Sequence, residues 1–460
     1  MSAFALSAGR RTLARDTAFV GGAIALAAAV GVATAENPVL GIAAAIGLIA
    51  LPMAILRPRL IPPVLMISVF TASLELGTVT VGRLIAPLGL LAVVVYLLQQ
   101  PLALKNAGLL VALCVGYLIL AFASLTWSID YPTTLDTLLT LSVSVGYAAT
   151  FAFLVQDERD LKRLLWVTTF SSMALAMLWI SAYVTGVDRR FNEAGDPNFF
   201  AALQVVSLPL VLVLASTTKN PLHRLFLGGA IGLIAASVIS TLSVGGLVTV
   251  ATAAVVIAIL PASALFQSRA QKGVFMLVAL VGLGAFMLVA QEDLNARLDV
   301  KLRDESVAGG RADLWHAAMS GYKEHPWTGM GYGGFYGSSF QLLRTTPGVD
   351  LESHLRFVGV GEYVHNAFLG SLAELGPVGA VLFIAILLTA FRTLWRSAER
   401  AGAAGDLFKR SVAYALIVGL IAFTVSSFLL STETSRTLWT ILGITVALAT
   451  MTSNRSAVSA

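Results

Sequence analysis

Long uncharged apolar runs alternate with short polar breaks along almost the whole chain. The runs cover 17–35, 37–56, 60–74, 84–104, 106–129, 137–156, 164–187, 197–218, 225–268, 273–291, 375–391, 411–432 and 437–454. The hydrocarbon core of a bilayer takes about 20 residues of helix, so each run predicts a membrane span. Lipid offers the backbone no hydrogen bonds, which makes helices the expected form. The run 225–268 is 44 residues long, twice what one span needs. The small polar string Ser240, Thr241, Ser243, Gly245, Gly246 near its centre predicts a turn and raises the span count to 14. One polar interruption, 292–366, is far longer than a turn. The expected fold is an all-α polytopic membrane protein of 12–14 transmembrane helices with a long, partly helical extracytoplasmic loop. Its expected parts are N-terminal helices (1–291), a loop subdomain (292–366) and C-terminal helices (367–460), together forming one membrane domain.

Composition narrows the function classes. The chain has 460 residues, 57% hydrophobic and 12% charged, where a soluble protein is about half apolar and about a quarter charged. A water-soluble enzyme, a disordered chain and a nucleic-acid-binding domain are excluded. Charge position then sets orientation. With the N-terminus in the cytoplasm, cytoplasmic segments hold 19 of the 30 basic residues. The short outer loops hold four (Arg83, Arg189, Arg190, Arg436) and the long loop seven. Both termini are therefore expected in the cytoplasm and the long loop outside. The net charge of +5 reads as a topology signal facing membrane lipid, with no nucleic-acid partner. Arg10, Arg11 and Arg15 precede the first run, which reads as a retained helix. Arg392–Arg410 reads as a basic, alanine-rich cytoplasmic connector. A single cysteine, Cys114, excludes an internal disulfide, and no Cys/His metal spacing occurs. No metal or cofactor is expected.

Unusual chemistry gathers in the outer loops. Arg189 and Arg190 break the charge rule, and either offers a donor fork that fits a phosphate oxygen pair. Asp196-Pro197-Asn198 after them reads as a turn and helix start. In the long loop, Leu314, Trp315, Ala318, Met319 and Tyr322 fall on one helical face, which would lie on the membrane or cap a cavity. The string Gly329-Met330-Gly331-Tyr332-Gly333-Gly334 fits GxGxxG, but no strand precedes it. It reads as a glycine turn, not a nucleotide site. His365 lies beside Asn366 at the mouth of a span, where ionisable groups are costly and usually functional. Glu362, three residues earlier, is placed to orient it or to act as the base. His325 and His354 read as ordinary loop residues.

The ordered set Gly310-Arg311, Trp315, Pro326, Gly329–Phe335, His365-Asn366-Ala367-Phe368-Leu369 and Glu374-Leu375-Gly376-Pro377-Val378-Gly379 resembles the bacterial O-antigen ligase and polymerase superfamily. Arg190 with Asp196-Pro197-Asn198 resembles that family's outer-loop arginine and the helix start after it. The likeness covers about 185–385. It implies a GT-C-like, metal-independent, inverting glycosyltransferase of the inner membrane whose site faces the periplasm or exterior. The implied donor is a glycan on undecaprenyl diphosphate. The implied acceptor is a hydroxyl of a lipid core or of another glycan unit. It implies Arg190 and Arg311 on the donor diphosphate and His365 on the acceptor hydroxyl. Arg189, Asn198, Glu362 and Asn366 are the candidate substrate-binding residues. One departure stands out: Leu242-Ser243-Val244-Gly245-Gly246 carries valine where many members carry arginine, and Arg189, Arg83 and Arg436 are the candidate replacements.

This chemistry suits the residues. A polyprenyl diphosphate is a good leaving group, so the barrier lies in charge developing on it and in deprotonating an alcohol. Loss of one preorganised donor to such charge typically costs about 3–4 kcal/mol. A histidine with an ordinary pKa of about 6.5 can take the proton. The alternatives are a small-solute or anion transporter and a silent scaffold of a polysaccharide assembly. A transporter would place ionisable groups near the bilayer midplane in broken helices, whereas the unusual residues here cluster in the loops.

Overall fold

The computed structural model describes residues 47–48, 50–71, 75–76, 79–100, 107–185, 196–241, 243–289, 291, 305–359 and 361–453. The fold is an all-α polytopic membrane protein. In chain order its helices are α1 (Ile61–Phe70), α2 (Val81–Gln99), α3 (Gly108–Ala123), α4 (Tyr131–Leu154) and α5 (Glu158–Thr185). Next come α6 (Pro197–Thr217), α7 (Pro221–Ser240), α8 (Val244–Ile259), α9 (Ala262–Leu265) and α10 (Arg269–Val289). The last five are α11 (Glu305–Glu324), α12 (Gly334–Thr345), α13 (Ala367–Ala403), α14 (Leu407–Ser426) and α15 (Arg436–Ser453). Two-residue strands, β1 (Glu75–Leu76) and β2 (Val79–Thr80), pair before α2. Eight helices among the described residues are long and apolar enough to cross a membrane, and Pro58–Phe70 and α8 are shorter apolar helices. The expected span 17–35 and most of 37–56 lie outside the described residues.

Helix starts follow local chemistry. Asp130, Asp196, Asn220, Ser243, Asn366 and Asp406 each accept a backbone N–H in the first turn of the helix they precede, the usual N-cap role of short polar side chains. Pro197 and Pro221 occupy first helical positions, where no N–H is needed. The long run 225–268 breaks at its polar centre. There α7 ends at Ser240, and Ser243 Oγ accepts from Gly246 N at 3.0 Å to open α8.

α6, α14 and α15 form the buried centre, and α13 packs on α3, α14 and α15. Buried polar side chains tie helices together, as they do where lipid offers no alternative partner. Gln204 Nε2 donates to Ser172 O at 3.0 Å, and Ser144 Oγ donates to Thr434 O at 2.7 Å. On α10, Val274, Leu277, Val278, Leu280 and Val281 are exposed, as expected of a lipid-facing helix. Most basic residues expected in the cytoplasm gather at one end of the bundle. There Arg59 bridges Asp157 and Asp160, both at 2.7 Å, and Lys272 Nζ donates to the terminal carbonyls of α8 at 2.6–2.7 Å. The segment expected as a connector at Arg392–Arg410 is instead helical as far as Ala403, because α13 does not stop at the end of its apolar run.

The long loop has a small apolar core of its own, formed by Leu314, Ala317, Ala318, Met330, Phe335, Leu342, Leu343 and Val364 together with Ala373 of α13. Trp315 Nε1 donates to Val364 O at 3.1 Å. The expected helical face of the loop thus packs on α12 and α13.

Candidate active site

The site is organised by a break in α13. Gly376 has φ +67° and ψ −170°, and Pro377 follows it without an N–H. The carbonyls of Ala373 and Glu374 therefore lose their partners in the next turn. The glycine string supplies replacements: Met330 N donates to Ala373 O, and Gly331 N to Glu374 O, both at 2.9 Å. Gly333 N donates to Glu374 Oε2 at 2.8 Å. Contact this close leaves no room for a Cβ. One at Gly329 would lie 2.4 Å from Glu374 C, and one at Gly376 would lie 2.3 Å from Trp327 O. The GxGxxG likeness thus marks the seat of a broken helix.

His365 lies just before α13, between the loop and the α14–α15 connection. Its N–H donates to Ser431 Oγ at 3.2 Å, and Ala367 N donates to Ser427 O at 2.9 Å. It is the non-glycine residue with positive φ among the described residues, at +54°. Its Nδ1 is buried and has no hydrogen-bond partner among them. Burial and the nearby Arg311 guanidinium push its pKa below the usual histidine range, and Asp196 pulls the other way. Two of these residues are linked a second time: burial lowers the pKa of Arg311, and Asp196 opposes it. Charges far apart in sequence, from the start of α6 and from α11, thus act on the histidine at the mouth of α13.

Other expected site residues have structural partners. Asn366 Oδ1 caps α13, accepting from Phe368 N at 3.1 Å and Leu369 N at 3.0 Å. Asn198 Oδ1 accepts from Ser243 Oγ, and its Nδ2 donates to Asp196 Oδ1 at 3.0 Å, so it ties the start of α6 to that of α8. Val244 is 42% exposed at that junction. Glu362 does not orient His365. Its Oε2 lies 2.6 Å from His354 Nδ1, and His354 Nε2 lies 3.6 Å from Asp313 Oδ2. All three are buried. His354 is therefore no ordinary loop residue: its Nδ1 pairs with the Glu362 carboxylate, and beside it Asp350 N donates to Asp313 Oδ2 at 3.3 Å, which fastens the Leu351–Phe357 turn to α11. Arg83 is held by Asp136 at 2.9 Å and Thr140 at 2.8 Å. Arg436 donates to Thr80 at 2.8 Å and lies over Tyr147. Neither is among the charges that bias His365. Arg189 and Arg190 lie outside the described residues.

The sequence reading missed Glu433. It is buried between α14 and α15, its Oε2 has no hydrogen-bond partner among the described residues, and burial raises its pKa to about 7. Its carboxylate lies against Gly370, where a Cβ would be 3.0 Å from Oε1. The available signal was an acid wedged between two apolar spans.

Residues 228–384 match the O-antigen ligase family. This segment runs from α7 into α13 and contains Arg311, the glycine string, His365 and the break at Gly376. It bears out the superfamily that the ordered motifs resemble. It supports a glycosyltransferase of the O-antigen ligase type that works on lipid-linked glycan and acceptor substrates. Asp196 precedes the O-antigen ligase segment and Glu433 follows it. No curated protein matches the chain.

Proposed function

We propose that the protein transfers an assembled glycan, with inversion and without a metal, from undecaprenyl diphosphate to an acceptor hydroxyl. The acceptor belongs to a lipid core or to another glycan unit. The observation that carries this reading is the buried, unpartnered ring nitrogen of His365, with the Arg311 guanidinium near enough to disfavour its protonation. The acceptor O–H gives its proton to neutral His365 as its oxygen attacks the anomeric carbon. The bond from that carbon to the diphosphate oxygen breaks, and the charge passes to the leaving diphosphate. Arg311 receives that charge, and Arg190 and Arg189 are the further candidates to do so. A lowered histidine pKa keeps the base neutral, and burial strengthens the arginine–phosphate attraction.

The site faces the periplasm or exterior, the protein lies in the inner membrane, and both termini are cytoplasmic. The charge asymmetry of the sequence supports this orientation. The loop 292–366 acts as a subdomain between the helices 1–291 and 367–460.

One observation favours transport: an acidic residue, Glu374, in a broken helix. Its carboxylate and the freed carbonyls are occupied by the glycine string, so the break is filled by protein and does not form an ion path.

The test is transfer by purified protein in nanodiscs, using an undecaprenyl-diphosphate glycan, candidate acceptors and a chelator. Transfer that persists with chelator and is lost in His365→Ala and Arg311→Ala is expected. Full activity in a well-folded His365→Ala protein would remove that residue from the mechanism.

A further inference from the structure

The other end of α13 carries a second concentration of charge. Arg392, Arg396 and Arg400 recur every four residues and share one helical face. At 1.5 Å per residue they begin roughly 40 Å along α13 from Asn366, so they are separate from the His365 site. A cavity of about 170 Å³ lies between this face and the first turn of α3, bounded by the three arginines, Leu109, Leu110 and Thr393. On the opposite flank, a groove of about 360 Å³ shares Arg392 and Arg396 and is walled by Phe391, Trp395 and Glu399.

Among the described residues, none of the three guanidinium groups makes a hydrogen bond or ion pair. Glu399, the nearest acid on the helix, accepts from Trp395 Nε1 at 2.9 Å. Like charges four residues apart repel one another, so an anion bound between them would stabilise the helix end. Trp395 is 41% exposed and packs against Phe391 and Tyr414. Leu109, which lines the cavity, and Leu388, one turn before Arg392, are also exposed. A soluble phosphate would use the arginines and leave this apolar wall idle. A lipid would use both.

We propose that the ridge Arg392–Arg396–Arg400 is a binding site for an acidic phospholipid. Its phosphodiester sits in the cavity against the guanidinium forks, which match paired phosphate oxygens. An acyl chain lies along Phe391 and Trp395. Basic pockets between helices at a membrane face bind acidic head groups in this way.

Native mass spectrometry of the full-length protein tests this, with phosphatidylglycerol, phosphatidylcholine and inorganic phosphate as the three probes. Retention of phosphatidylglycerol in clear preference to phosphatidylcholine is expected, undiminished by excess inorganic phosphate. Each basic side chain near an acidic lipid surface contributes roughly fivefold in binding, so R392Q/R396Q/R400Q should lower retention by about a hundredfold. The R392K/R396K/R400K protein keeps the charge and loses the forks, so it should retain phosphatidylglycerol at a level between the wild type and the glutamine variant; it serves if the glutamine variant does not fold, and retention equal to the wild type's would overturn the role of the forks. Equal retention of both lipids, or unchanged retention in a folded glutamine variant, would overturn the proposal. Displacement by inorganic phosphate would also overturn it and assign the ridge to a soluble anion.

Discussion

His365 combines a left-handed backbone, a buried ring nitrogen without a partner among the described residues, and a guanidinium that disfavours its protonation. A non-glycine residue at positive φ costs of order 1–3 kcal/mol and persists only where its surroundings hold it. Here the capped start of α13 and Ser431 do so. Asparagine tolerates that conformation, so His365→Asn should keep its fold by gel filtration yet lose transfer by about 10²- to 10⁴-fold, the usual worth of a general base. The acid limb of kcat/KM against pH reports the same group. In the wild type the limb should fall below the ordinary histidine value of about 6.5. Removing a positive neighbour makes protonation easier, so Arg311→Gln should move the limb upward while slowing transfer. A limb that stays in place would mean that another group titrates.

At the scale of elements, the α13 break and the glycine string depend on each other. Gly376→Ala brings a Cβ within 2.3 Å of Trp327 O at a φ of +67°, and should cost about 2–3 kcal/mol. A lowered melting temperature in detergent, with weaker transfer, is the expected readout. Part of this arrangement was legible in sequence. The polar string around Ser243 predicts a turn, because backbone preference is local, whereas the break at Gly376-Pro377 falls inside the expected span 375–391. The docking partner of the glycine string was not legible, since it is set by carbonyls that only the fold exposes. The Glu362–His354 pairing was missed for a related reason. Spacing along the chain pointed Glu362 at His365, three residues away, but the Leu351–Phe357 turn brings a different imidazole to it.

For the whole molecule, apolar run length carried most of the fold, because lipid enforces helices wherever it surrounds the chain. It stopped working past Phe391, where α13 outlasts its apolar run and continues to Ala403 with arginines on its face. The proposed orientation places α12 and the end of α13 on opposite sides of the membrane. In a Cys114→Ser background, Arg344→Cys should react with an impermeant maleimide in cells with a permeabilised outer membrane. Ala404→Cys should react only after the inner membrane is opened. The reverse pattern would invert the proposed topology.

The two anchored ends of the loop also divide it by tolerance to length. Residues 329–334 are fixed to the break in α13, and just before α13 begins Glu362 N donates to Ser339 of α12 and His365 N to Ser431. The chain between them leaves one helix and returns to it, so its length does not set where His365 sits. Gly348, exposed and with open space where a Cβ would stand, is a point where a few extra residues should leave transfer intact. The same insertion at Gly331 should abolish it. Enlargement of the 335–361 excursion is thus a route by which this scaffold can meet differently shaped acceptors while its reacting residues stay in place.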